Sequence, residues 1–95
     1  MPSRRSLAAA LKTARKARGL SQEAFSDVSS RTYLSTLERG IKSPTLNKLA
    51  AICRVLDVHP LTLLTLSYAG TGTNEVDRLL ARVRHEIVSL SPKKR

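Results

Sequence analysis

Ninety-five residues carrying 17 Lys and Arg against seven Asp and Glu have a formal net charge of +10. A chain of this length forms one domain that buries only roughly 60–68% of its unfolded surface, which excludes a deep catalytic cleft. The charge excess suits a polyanionic partner, nucleic acid or an anionic membrane, rather than a basic ligand.

The apolar fraction is 41% but aromatic residues are only 3%, so the core is aliphatic, and the Leu and Ala that dominate it favour helices over strands. Cys53 is the only cysteine. It excludes an intrachain disulfide and a cysteine metal cluster, and its neighbours Leu49, Ile52 and Leu56 mark it as a buried, inert thiol. The start Ser3-Arg4-Arg5 superficially resembles a twin-arginine export signal, but the apolar run Leu7–Leu11 ends at Lys12 and is too short for one. The longest apolar stretch, around Leu61–Ala69, falls well under the ~18–20 residues of a spanning helix. A cytoplasmic protein is expected, with no membrane partner.

In chain order, Leu7, Leu11 and Ala14 recur at helical spacing and Gly19 supplies a stop, predicting a helix from about Arg5 to Arg18. Ser21 is an N-cap with Glu23 in the first turn, for a short second helix over about Gln22–Val28. Ser29 or Ser30 caps a third, roughly Arg31–Arg39, whose Leu34, Leu37 and Ile41 fall within a narrow arc and which ends at Gly40. Ser43-Pro44 predicts a fourth start, with Leu46, Leu49, Ala50, Cys53, Val55 and Leu56 as the apolar face of a helix over about Pro44–Leu56. His59-Pro60 repeats that signal for a fifth, dense in leucine, ending at Tyr68-Ala69-Gly70.

Residues 71–73 have the composition of a short linker. Beyond them Val76, Leu79, Leu80, Val83, Ile87 and Leu90 step by three and four, predicting an amphipathic helix over about Asn74–Leu90 and a basic tail. The division expected is therefore a compact domain over 1–70, a linker over 71–73 and a helix with its tail over 74–95. The sequence holds no internal repeat and no credible strand.

Residues 6–68 resemble the helix-turn-helix domain of phage-repressor and XRE-type regulators. The resemblance rests on Arg15 with Gly19-Leu20-Ser21-Gln22-Glu23, then Tyr33-Leu34-Ser35, Leu37-Glu38-Arg39-Gly40, Ser43-Pro44 and the Leu-rich segment after Val58. It implies an all-α, five-helix DNA-binding domain, here followed by the C-terminal amphipathic helix. The segment Val28–Ser30 departs from the pattern, being about two residues shorter than the family's usual turn and lacking glycine.

One α-helix fits a major groove, its N-terminal and outward side chains reaching base edges while flanking groups hold phosphates. With Leu34 and Leu37 inward, Thr32, Ser35, Thr36 and Arg39 fall on the opposite face and Arg31 lies near the N-terminus. Arg31, Thr32, Ser35 and Thr36 are the base-reading candidates, although on their own the hydroxyls also describe an ordinary solvated face. Gln22 opens the second helix, where the resemblance implies a phosphate contact aided by free backbone N–H groups. Tyr33 either donates to a phosphate or packs between helices. Arg39 and Lys42 flank the end of the third helix as backbone anchors. The resemblance further implies that Arg15 and Glu38 form a structural ion pair.

Arg4 and Arg5 could reach a minor groove or remain a solvated start. The apolar stripe of the last helix packs on its own domain or on a second copy; a homodimer is the reading preferred here, through Val76, Leu79, Leu80, Val83, Ile87 and Leu90. Glu75, Asp77 and Glu86 dilute its positive face and argue against a membrane surface. The leading function is sequence-specific binding of double-stranded DNA as a transcriptional regulator. The alternative is a protein-binding adaptor or antitoxin-like component with an unidentified protein partner. His59 reads as a helix cap and His85 lacks a second ligand type, so no enzyme activity, metal or cofactor is expected.

Overall fold

The computed structural model describes residues 4–92, and for Arg4 and Arg5 the backbone alone. Five α-helices, α1 (Arg4–Ala17), α2 (Arg31–Glu38), α3 (Leu46–Leu56), α4 (Pro60–Ala69) and α5 (Thr73–Leu90), are joined by a 3₁₀ helix, Gln22–Phe25, between α1 and α2. The described residues contain no strand. The all-α class expected from the aliphatic composition therefore holds.

Three helices end in the same hydrogen-bonded turn, and it fixes the angles at which they meet. After α1, Leu20 N–H donates to the Arg15 carbonyl and Gly19 N–H to Lys16; after α2, Ile41 donates to Thr36 and Gly40 to Leu37; after α3, Val58 donates to Cys53 and Asp57 to Arg54. Each turn needs one left-handed residue to reach back to the last carbonyls. Gly19 at φ 68° and Gly40 at φ 75° supply it without steric cost, whereas after α3 the position is filled by Asp57 at φ 58°. Arg18, in the turn just after α1, donates to the carbonyls of Leu56 (2.9 Å) and Asp57 (3.2 Å), covering that end of α3 from outside.

The core gathers Ala10 and Leu11 of α1, Phe25, Leu34 and Leu37 of α2, Leu49, Ile52, Cys53 and Leu56 of α3, and Leu63 of α4. Phe25, the only phenylalanine, is wholly buried at its centre. Cys53 is buried as expected, and burial pushes its thiol pKa up, away from reactivity.

Several expectations need correction. The second helix ends at Phe25 rather than Val28 and is 3₁₀, with Ser26 N–H on the Glu23 carbonyl and Val28 on Phe25. The short connection explains this. The chain must seat Phe25 in the core and still reach the Ser30 cap within a few residues, and 3₁₀ geometry rises about 2.0 Å per residue against about 1.5 Å for an α-helix. Helix α3 starts at Leu46, two residues after Pro44, because the Thr45 hydroxyl rather than Ser43 caps it, accepting from Lys48 N–H at 3.1 Å. Leu46 thus stands at the first helical position and is 78% exposed, and Ile41, past the end of α2, is 49% exposed. Neither belongs to the core that the spacing suggested. The His59-Pro60 signal is realised: His59 Nδ1 accepts from Leu61 N–H at 2.9 Å and Pro60 opens α4.

Helix α5 begins at Thr73, one residue earlier than expected, and folds back along α4. No residue of α5 is buried. No single helix among the described residues is long and apolar enough to cross a membrane; α3 and α4 together carry the composition of a span but meet at 99°, and they supply half of the core described above.

Candidate nucleic-acid interface

Helix α2 stands on the core through Leu34 and Leu37, and its orientation is set at both ends by polar contacts. At its N-terminus the Ser30 hydroxyl accepts from Tyr33 N–H at 3.0 Å, satisfying one of the free donors of the first turn. At its C-terminus Glu38 is held by three hydrogen bonds from two side chains. Arg15 of α1 donates twice, Nε to Oε2 at 2.6 Å and Nη2 to Oε1 at 3.0 Å, and Gln22 Nε2 donates to Oε1 at 3.1 Å. Arg15 Nη1 reaches on to the Leu20 carbonyl at 2.8 Å, so one guanidinium ties the end of α1, its turn and the end of α2 together.

This pair is nearly dry, with side-chain exposures of 12% for Arg15 and 3% for Glu38. Burial alone would push the Glu38 pKa up. The hydrogen bonds from Arg15 and Gln22, with the charges of Arg15 and Lys12, outweigh it and hold the carboxyl below its ordinary range. The hydrogen bond to Glu38 raises the Arg15 pKa further, against the opposing effect of burial. The association that the resemblance implied for Arg15 and Glu38 is present as a bidentate pair.

The outward face of α2 is less uniform than helical spacing suggested. Arg31, Thr32 and Arg39 are exposed, but Ser35 and Thr36 are half-buried. The Thr36 hydroxyl donates to the Tyr33 carbonyl at 2.6 Å, which leaves its oxygen as an acceptor for any further partner. Arg39 and Lys42 lie exposed at and beyond the C-terminus of α2. Gln22 is half-buried and one of its amide N–H groups is engaged by Glu38, leaving its second N–H and its carbonyl oxygen outside that bond. The side chains of Arg4 and Arg5 lie outside the described residues.

Spacing did not single out Lys48. Its ammonium crosses from α3 to donate to the Val28 carbonyl at 2.6 Å and sits 5.7 Å from the centre of the Tyr33 ring. It thereby closes the connection before α2 and backs Tyr33, which is half-buried against the edge of the core. Lys48 lies one position before Leu49 on a polar flank of α3, a pattern indistinguishable in sequence from a solvated lysine.

Among the described residues no group of three or more His, Cys, Asp or Glu side chains could hold a metal ion. The arrangement offers instead a short helix with a cationic N-terminal side chain, hydroxyls along its face and cations at its far end, in a strongly basic chain. These are means of contacting an anionic duplex. A comparison with family models matches residues 11–63, more than half of the chain, to the family described as helix-turn-helix. No curated protein and no solved structure matches the chain.

Proposed function

Because this chain belongs to the helix-turn-helix family of the XRE and phage-repressor type, a family of DNA-binding transcriptional regulators, we propose that it is a sequence-specific repressor. It binds a near-palindromic operator as a homodimer and acts by occupying its site. The observation that carries the reading is the mounting of α2: its ends are fixed by Ser30 and by the Arg15–Glu38–Gln22 cluster, while Arg31 and Thr32 stand exposed at its N-terminal end.

A helix held this way can lie in a major groove with its N-terminal residues against base edges. Arg31 provides the fork that pairs with O6 and N7 of guanine, Thr32 offers a methyl and a hydroxyl, and Ser35 and Thr36 complete the reading face at closer range. Gln22, Tyr33, Arg39 and Lys42 hold phosphates on either side, fixing the register. The homodimer is supported by apolar surface that the single chain leaves open. Leu80, Val83, Ile87 and Leu90 of α5 and Leu61 of α4 are 39–82% exposed, whereas Val76 and Leu79 are partly covered by α4. Two copies related by a two-fold axis set their α2 helices one turn of DNA apart, about 34–36 Å.

Selection of bound duplexes from a random library at physiological salt tests this reading, with the wild type beside an Arg31→Ala/Thr32→Ala variant. Enrichment of a two-fold symmetric motif that the variant loses is the expected result. With about eight phosphates neutralised per dimer, log affinity falls against log salt with a slope of about −7. Salt-sensitive binding without any motif overturns it, and the open α4–α5 surface then becomes the place to seek a protein partner.

A further inference from the structure

Helix α5 carries a pattern finer than an apolar stripe. Val76, Leu80, Val83, Ile87 and Leu90 alternate in steps of four and three, the spacing of the d and a positions of a two-helix seam. At about 100° per residue, Asp77 and Arg84 fall together along one edge of that seam, in the e positions that flank it. Among the described residues neither makes an ion pair, while Arg82 and Glu86 on the opposite edge are already paired at 3.0 Å. Asp77 and Arg84 stand seven residues apart, about 10.5 Å along the axis, too far to satisfy each other within one helix. Their edge adjoins an open groove of about 630 Å³ where Thr62, Thr65 and Leu66 of α4 face Val76 and Leu80 of α5.

We infer that α5 pairs with α5 of a second copy in the antiparallel sense, registered by reciprocal Asp77–Arg84 ion pairs, with Ile87 of each copy entering the other's α4–α5 groove beside Val76. The inference rests on the homodimer proposed above and adds its orientation. The choice of direction follows from the charges. In a parallel pair each e position meets a g position of the partner helix, which sets Arg84 against Leu79 and leaves Asp77 facing residue 72, before the helix begins. In an antiparallel pair e meets e, so Asp77 of each copy meets Arg84 of the other. The apolar layers close at the same register, Leu80 against Val83 and Ile87 against Val76.

Sedimentation equilibrium of the full chain at low salt tests it with D77R, R84D and the double variant D77R/R84D. All these side chains are exposed, so the fold is retained and circular dichroism verifies that. Each single variant sets like charges together at both pairs and weakens the dimer by about tenfold. The double variant restores opposite charges and recovers wild-type association, and D77R mixed with R84D forms a heterodimer tighter than either homodimer. Single variants without effect, or a double variant no better than the singles, overturn the antiparallel register while leaving a dimer in place. A wild type that stays monomeric overturns the homodimer reading and this inference together.

Discussion

Replacing Glu38 with alanine tests the mounting of α2 most directly. The carboxylate accepts from Arg15 at 2.6 and 3.0 Å and from Gln22 at 3.1 Å while only 3% exposed. Its removal leaves the Arg15 guanidinium, 12% exposed, with the Leu20 carbonyl as its remaining hydrogen-bond acceptor. Breaking one side of such a pair costs about 3–5 kcal/mol, mostly the penalty of the stranded charge. A domain of this size holds only about 5–14 kcal/mol in total. At about 4–8 °C per kcal/mol, Tm falls by at least about 12 °C, measured by circular dichroism at 222 nm, and DNA binding falls with it. The variant Arg15→Met/Glu38→Leu, which removes both charges and keeps the volume, recovers most of the lost stability. A Glu38→Ala protein that loses DNA binding but keeps its full thermal transition refutes the reasoning, because Glu38 would then act at the interface and not in the scaffold.

The lowered Glu38 pKa also has a pH signature. Its contribution is complete above the carboxyl's unfolded pKa, about 4.3, and is lost as pH falls through the lower folded value, so the Tm of Glu38→Gln varies less with pH across that acid window than the wild type's. Asp57→Gly removes the left-handed strain at the end of α3 while the contacts from Arg18 to the backbone carbonyls persist, and raises stability to urea by about 1 kcal/mol; an unchanged midpoint counts against strain there. Ser67 buries a hydroxyl with no hydrogen-bond partner, so Ser67→Ala is neutral or stabilising in the same titration, where most buried substitutions destabilise. Lys48→Met leaves the Val28 carbonyl unpaired and Tyr33 without its cation, lowering affinity for the selected operator while the salt slope stays unchanged; a slope reduced by about one would make Lys48 a phosphate contact instead.

Helix number and class, the glycine stops after α1 and α2, a serine cap at Ser29 or Ser30 and the His59 cap were legible from spacing and punctuation. Each depends on contacts within a turn or two of chain, which local sequence specifies. The Arg15–Glu38 association was legible only through family resemblance, since the two residues lie on different helices. Tertiary structure decided the rest. The 3₁₀ form of Gln22–Phe25 follows from how far Phe25 must travel to the core. The exposure of Ile41 and Leu46 follows from where their helices end and begin. The partial burial of Ser35 and Thr36, the diversion of Lys48 to Val28 and of Arg18 to the end of α3, and the engagement of Gln22 by Glu38 all depend on neighbours brought from other segments. Helical periodicity says which way a side chain points from its own axis; what stands in its path is set by how the axes pack, and that alone separated the cations that brace this fold from those left exposed.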